Sequence, residues 1–236
     1  MRSFSYFLKE ETEEEGQKLK HITHAEDHPL IGGSKGFRKV HELMIAAHNH
    51  IKSGGHSSAL TTKYDGSPSL VFGHHPENGK FFVASKSAFN VNPKINYSHE
   101  DVDRNHGHSP GLAEKLHQAL NHLKKVTPKG GVYQGDVMFG EHDKKDSKHG
   151  VSFTPNTITY TARGDNADRV RRAKFGVVVH TQYHGDTLDS MKADSHPNVH
   201  HFTPHDSVWL RSAEHDTRNV HYSNEDQNEF INHLNK

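Results

Sequence analysis

The sequence predicts an α+β fold with mostly antiparallel sheets flanked by helices. Apolar residues recur at helical spacing in three segments, whereas six short β-prone segments are separated mainly by turns. Composition does not shift along the 236 residues, so no internal linker is indicated. We therefore expect an N-terminal arm over residues 1–30 and a single domain over residues 31–236.

Three helices are predicted from amphipathic spacing. The first covers residues 37–51. The second follows Ser109, a favourable N-cap residue, and has Pro110 at its first position. The third lies in the tail, where Ser223 and Asp226 have the spacing of a capping box.

The β-prone segments are short and rich in β-branched or aromatic residues. They cover residues 59–63, 69–72, 80–85, 132–139, 157–162 and 175–181. The last segment is a continuous apolar run, which is typical of a strand buried on both faces. We expect these segments to form the central sheet.

Composition excludes several classes of protein. Without cysteine there is no disulfide framework, no thiolate metal site and no cysteine nucleophile. No apolar run approaches the roughly 20 residues of a membrane-spanning helix, and the N-terminus lacks the apolar core of a secretory signal. We therefore expect a cytoplasmic protein with no membrane partner. Lys+Arg and Asp+Glu both number 29, so nucleic acid would have to bind a local basic patch.

Histidine is unusually frequent, at 25 residues. Neighbouring pairs such as His74/His75 and His200/His201 are scattered and do not follow the spacing of a zinc protease helix. We interpret most of them as solvated surface residues. A histidine-rich metal-binding protein is the alternative.

The segment from Thr61 to Ser69 carries the strongest chemical signal. Lys63 leaves a β-prone segment and enters a tight turn at Asp65-Gly66. A lysine held at a strand end in buried or cationic surroundings can lose its proton and act as a nucleophile. Asp65 would point to the same side and orient the amine or a sugar hydroxyl, while Gly66 lets the chain turn close to a ligand. The alternative is an ordinary hairpin with a surface lysine.

Lys63-Tyr64-Asp65-Gly66-Ser67 resembles motif I of the covalent nucleotidyltransferases, which include ATP-dependent DNA and RNA ligases and mRNA capping enzymes. It is most similar to the RNA-ligase form. The resemblance implies an ATP-grasp-like ligase adenylation domain with ATP and Mg²⁺ as cofactors. It also implies that Lys63 attacks the α-phosphate of ATP, forming a lysine-AMP intermediate whose AMP passes to a nucleic-acid 5′-phosphate before strand sealing.

Three later segments resemble further motifs of this superfamily in the same order. Residues 83–87 resemble motif Ia, residues 133–137 motif III and residues 174–180 motif IIIa. The resemblance implies a nucleotide pocket that includes Thr62, Tyr64, Gly66, Ser85, Lys86, Asp136 and either Val179 or His180. Asp136 would also contact the metal, and Val179 or His180 would stand where the family packs an aromatic ring on adenine.

Two late motifs of the superfamily have no convincing counterpart after residue 185. Motif IV helps to hold the metal and motif V supplies lysines to the α-phosphate; Val208–Arg211 is the only later strand followed by a basic residue. Either the chain is an N-terminal piece of a longer ligase-like protein, or the site has diverged. The chain also resembles ligase-like proteins of tailed bacteriophages, which would place it in the host cytoplasm.

Two functions follow from these patterns. The first is an ATP-dependent polynucleotide ligase or related nucleotidyltransferase. The second is a non-catalytic nucleotide-binding or phage interaction protein that retains the ligase fold. The choice between RNA, DNA and protein acceptors, between ATP and GTP, and the oligomeric state are left open by the sequence.

Overall fold

The computed structural model describes residues 27–54, 61–215, 217 and 220–236, and these divide into two compact units. One unit contains the described residues up to Thr62 together with those from Glu214 onward, and the other contains Lys63–Ala213. The prediction of a single domain over residues 31–236 stays a prediction beside this division into two units. Residues 27–30 of the predicted arm begin a helix, and residues 1–26 lie outside the described residues.

The α+β class with antiparallel sheets is confirmed. The α-helices of the described residues are α1 (Asp27–Lys52), α2 (His99–His106), α3 (Pro110–Leu123), α4 (Gly164–Arg172) and α5 (Asn224–Leu234). The strands are β1 (Ser69–His74), β2 (Phe81–Ala84), β3 (Val132–Phe139), β4 (Lys144–Ser147), β5 (Gly150–Phe153), β6 (Tyr160–Ala162), β7 (Phe175–His184), β8 (Lys192–Asp194) and β9 (Val208–Ser212). Short 3₁₀ turns occur at Lys86–Phe89, Leu188–Ser190 and Val199–His201.

All three predicted helices are present. The first extends further than its apolar pattern, beginning at Asp27, and changes direction at Gly33, where φ is 50°. α3 begins after Ser109 as predicted, although the Ser109 side chain makes no capping hydrogen bond. The tail helix has the predicted capping box between Ser223 and Asp226.

The larger sheet has the strand order β2-β1-β3-β7-β8, with β9 also paired to β7. Its pairs are antiparallel except β7–β9, which is parallel. A smaller antiparallel sheet contains β4, β5 and β6. The predicted segments 69–72, 80–85, 132–139 and 175–181 correspond to β1, β2, β3 and β7, whereas segment 157–162 forms a strand only from Tyr160.

One predicted strand differs from the structure. In segment 59–63, residues 59 and 60 lie outside the described residues, and Thr61 makes only an isolated bridge to Glu214. Thr62 and Lys63 belong to no strand. The chain is therefore already extended and irregular where Lys63 occurs, and it joins the larger sheet only at Ser69.

Two apolar cores cover opposite faces of the larger sheet. The first core lies between the sheet and helices α2 and α3, and includes Leu70, Leu116 and Val177. The second core lies between the sheet, α4 and the smaller sheet, and includes Met138, Val170 and Trp209. Side chains alternate along a strand, so β3 directs Tyr133 and Val137 into the first core and turns Gln134 and Asp136 to the other face.

Candidate active site

A row of four residues crosses the larger sheet on the face opposite the first core. Ser69 of β1 is paired with Asp136 of β3, Asp136 with Val178 of β7, and Val178 with Arg211 of β9. Paired residues of neighbouring strands project to the same face, so these four side chains share one face. We call this face, with its half-buried polar residues Ser69, Gln134 and Asp136, the polar face.

Asp136 lies beside a histidine that the regular strand register does not predict. The register between β3 and β7 shifts between Gln134 and Gly135, so β7 has one extra residue, His180, at this point. The shift turns His180 toward β3, where its Nε2 is 3.5 Å from Oδ1 of Asp136. Both side chains remain partly accessible, 30% for His180 and 22% for Asp136, so both can contact a ligand.

Gln134 is fixed on the polar face by its neighbours on both sides. Its Nε2 donates a 3.0 Å hydrogen bond to Oγ of Ser69, and its Oε1 accepts a hydrogen bond from the Tyr183 hydroxyl. Tyr183 packs against Phe89 with ring centroids 4.7 Å apart. Burial raises the pKa of Tyr183 well above its ordinary value, which keeps the hydroxyl protonated as the donor.

The motif around Lys63 reaches the polar face through Gly66. A Cβ added to Gly66 would lie 2.5 Å from Cβ of Asp136 and 3.1 Å from Sδ of Met138. The next residues run beside β3, because Ser67 N–H donates to the Val137 carbonyl at 2.9 Å and Val137 N–H donates to the Pro68 carbonyl at 3.0 Å. Gly66 thus comes close to β3 and Asp136, whereas its expected approach to a ligand stays a prediction.

Lys63 is exposed at the start of this approach. It makes no hydrogen bond or ion pair with any other residue in the described part of the chain. Two residues separate it from Gly66, so the Cα atoms of Lys63 and Gly66 are at most about 11 Å apart. The ammonium group is uncommitted to a structural partner among the described residues.

Ser85 and Lys86 lie at the β2 side of the row formed by Ser69, Asp136, Val178 and Arg211. Both follow directly after β2, which pairs with β1, so they lie two strand spacings from β3, about 10 Å. Oγ of Ser85 caps the turn Lys86–Phe89 by accepting from Ser87 N–H at 3.3 Å, while Lys86 is exposed. Lys86 therefore follows the strand that pairs with β1, and the Lys63 segment directly precedes β1.

The Asp65 carboxylate contacts the loop of residues 156–158 and not the Lys63 amine, which the sequence-based interpretation expected it to orient. The carboxylate accepts hydrogen bonds from the side-chain amide of Asn156, from the backbone N–H and the hydroxyl of Thr157, and from the backbone N–H of Ile158. These bonds, led by that of the Thr157 hydroxyl, lower the pKa of Asp65 far below its ordinary value. Asp65 therefore anchors the loop before β6, and no hydrogen bond joins it to Lys63 in the described residues.

Three further predicted residues make other contacts, two within the unit of the polar face and one within the other unit. Tyr64 packs against the second core and the ring of Tyr160, at 5.9 Å between centroids. Val179 is fully buried in the first core, so His180 is the member of that pair on the polar face. Oγ1 of Thr62 is 2.9 Å from Nδ1 of His215, within the other unit.

A family model described as a family of unknown function, DUF6267, matches residues 19–236. The chain belongs to the DUF6267 family. No curated protein and no solved structure matches it significantly. The polar face of this DUF6267 member is thus interpreted from its own geometry.

Arg211 is the residue of the polar face that the sequence indicated least clearly. Its guanidinium donates to Oδ1 of Asn166 at 3.1 Å and lies 5.7 Å from the centre of the Trp209 ring. Asn166 also accepts from Nε1 of Trp209 at 2.9 Å, so one amide holds both side chains. The parallel pairing of β9 with β7 places this cation in the Asp136 row, about 10 Å from it.

The polar face offers few ligands for a metal ion. Among the residues that the structure describes, no group of three or more His, Asp or Glu side chains could hold one. Mg²⁺ needs only one or two carboxylates when phosphate oxygens and water complete its coordination, and Asp136 fits that role. In the described parts of this DUF6267 protein, no helix has the length and apolarity needed to cross a membrane.

Proposed function

We propose that this DUF6267 protein is an ATP-dependent nucleotidyltransferase of the ligase type, with Lys63 as its nucleophile. The observation that carries the proposal is the contact of Gly66 with Asp136, which brings the Lys63 segment to a half-buried acidic and polar face. An uncommitted lysine, an Asp–His pair and two flanking cations, Lys86 and Arg211, are the groups that phosphoryl chemistry requires.

The proposed reaction has two steps. In the first, the unprotonated Nζ of Lys63 attacks the α-phosphorus of ATP; a P–N bond forms, the P–O bond to pyrophosphate breaks, pyrophosphate leaves, and one proton of the attacking nitrogen passes to solvent. In the second, an oxygen of a nucleic-acid 5′-phosphate attacks the same phosphorus. The P–N bond then breaks, AMP is transferred, and the lysine recovers its proton from solvent.

The polar-face residues have separate roles in this proposal. Lys86 and Arg211 approach the phosphates from opposite sides and stabilise the charge that builds up on the α-phosphate. Asp136 would hold Mg²⁺, which neutralises phosphate charge, and His180 next to Asp136 contacts the nucleoside. Gln134 is a positioning residue, because its amide is already held by Ser69 and Tyr183.

A second candidate function is a nucleotide-binding protein that does not form the adduct. One observation favours it: the carboxylate of Asp65 is committed to the loop of residues 156–158 and does not orient the Lys63 amine. Without a group that orients it, the Lys63 amine is not aligned with an α-phosphate, which disfavours attack.

The test is the formation of a covalent adduct with ATP labelled at the α-phosphate in the presence of Mg²⁺. We expect an acid-labile, alkali-stable label on the wild-type protein and on the control Lys80→Ala, another exposed lysine of the same unit. Lys63→Ala and Lys63→Arg should carry none. A label that persists in Lys63→Ala would exclude Lys63 as the nucleophile. Saturable ATP binding without label in the wild type would support the second candidate instead.

A further inference from the structure

A cavity of about 300 Å³ lies inside the unit Lys63–Ala213, away from the polar face. Its apolar lining comes from Val126, Val199, Phe202, Pro204, Val208 and Leu210. Its polar lining comes from Arg169, Arg172, Thr203, His205 and Asp206. Polar and apolar groups line the cavity in comparable measure, and convergent polar groups in a pocket orient a small molecule.

The cavity lies at the edge of the sheet formed by β9, which pairs only with β7 in the described residues. Val208 and Leu210 of β9 line it from the side of the first core, whereas Arg169 and Arg172 line it from α4, which packs against the second core. Asp136 is not among the residues of the lining, so the cavity is distinct from the Asp136 row.

The charge on the cavity wall comes from two arginines of α4. Arg169 and Arg172 are three residues apart and so project from the same side of the helix. The Arg169 side chain makes no hydrogen bond or ion pair in the described part of the chain. Arg172 has only a loose contact, 3.9 Å from its Nε to Oδ1 of the highly exposed Asp206. Both guanidinium groups are available for an anion.

The other cations near this helix are already used. Arg171, between the two, pairs with Asp146 at 2.6 Å and with Asp168. Lys144 donates to the carbonyls of Val170, Arg171 and Ala173, and so neutralises the negative end of the helix dipole. The end of α4 therefore does not repel an anion bound by its two free arginines.

We propose that this cavity binds a phosphomonoester attached to a flat or apolar group, namely a nucleoside 5′-phosphate. Arginine forks match the oxygens of a phosphate and form charge-assisted hydrogen bonds with them. The apolar lining would receive the base, and Thr203 and His205 complete the polar part of the lining. The ligand is either a free mononucleotide or the 5′-phosphorylated end of a nucleic acid, which share this chemistry.

The test compares probes with and without the 5′-phosphate on a Lys63→Ala background, so that adduct formation does not contribute. The probes are AMP, adenosine, and a short fluorescent single-stranded oligonucleotide with either a 5′-phosphate or a 5′-hydroxyl. We expect the phosphorylated member of at least one pair to bind about tenfold or more tightly. Preference confined to AMP over adenosine would assign a free mononucleotide, and preference among the oligonucleotides a nucleic-acid end.

The variant Arg169→Gln/Arg172→Gln should remove this preference, while the control Arg171→Gln, on the same helix but outside the cavity lining, should retain it. Thermal melts of both variants show whether each is folded. Equal binding of phosphorylated and unphosphorylated probes would overturn the proposal, as would an equal loss in a folded Arg171→Gln protein. The labelled-ATP assay is a separate experiment. Absence of an adduct on Lys63 would therefore not change the interpretation of these binding measurements.

Discussion

The carboxylate of Asp65 accepts hydrogen bonds from both the amide and the hydroxyl of Thr157, at 2.8 and 2.6 Å. The bond between the two segments is reinforced from Tyr160, whose hydroxyl accepts from the Asp65 N–H at 2.8 Å. The loop before β6 and the segment after Lys63 are therefore held together as one piece. Asp65 controls where Lys63 begins its approach to the polar face, even though it does not contact the lysine.

Replacing Asp65 by alanine should release this loop. The amides of Thr157 and Ile158 lose their acceptor together, so we expect a lower melting temperature and faster amide exchange at residues 156–158. Asn156→Ala removes one donor and leaves the others, so its effect should be clearly smaller. Equal exchange rates in wild type and Asp65→Ala would contradict this anchoring role.

A methyl group at Gly66 should separate the Lys63 segment from β3. The Cβ of Gly66→Ala would lie 2.5 Å from Cβ of Asp136, and relieving the clash requires backbone movement. We expect a loss of about 1–3 kcal/mol in the free energy of unfolding, together with loss of the ATP adduct. Gly111→Ala is the control: no atom lies within 4 Å of its added Cβ, and helical alanine is favoured over glycine by about 0.5–1 kcal/mol. Urea unfolding measures the free energy of unfolding of both variants, and the labelled-ATP assay measures the adduct.

Lys144 should contribute to stability through the end of α4. Lys144→Met keeps the apolar stem but leaves the carbonyls of Val170, Arg171 and Ala173 without their donor. We expect a loss of about 1–3 kcal/mol. Lys145→Met, the neighbouring exposed position, should change the unfolding free energy by less than about 0.5 kcal/mol. Similar losses in the two variants would show that the capping contacts contribute nothing.

Buried histidines should make the protein less stable in mild acid. Burial lowers the pKa of His74, His106 and His122 below the ordinary value of 6.5. The unfolded chain therefore takes up protons first, so this stabilisation is complete above pH 6.5 and declines as the pH falls through the lowered folded values. His122→Gln removes one such group, and urea unfolding at several pH values should show a shallower decline. An unchanged slope would exclude a contribution from His122.

Sequence patterns predicted the central strands better than the peripheral elements. β3 and β7 are long and largely apolar, so their periodicity is clear. α2 and α4 were not predicted because each buries only two residues in an otherwise polar segment, and β4 contains no apolar residue. The capping box of Ser98 and Asp101 was the available signal for α2.

The candidate site shows a similar division. Asp136 was singled out from the resemblance of residues 133–137 to a short motif. The tight turn predicted at Asp65-Gly66 was wrong, because the chain has no turn there and runs beside β3 from Ser67. The bonds of Asp65 to residues 156–158 and the placement of Arg211 beside Val178 depend on pairing between distant segments. Such pairing leaves no trace in local periodicity, so it required the sheet register.

β9 is the parallel strand of an otherwise antiparallel sheet, and this has a consequence for the order of assembly. Residues 180–207 must fold back along the sheet before Val208 can align with Phe175, whereas β1–β2 and β4–β5 are joined by short turns. Pairing across a longer connection has a larger entropic cost and is slower. We therefore expect β9 to join late in folding. Arg211 of the polar face and Leu210 of the cavity would thus be positioned in the same late step, so neither binding surface exists before the other.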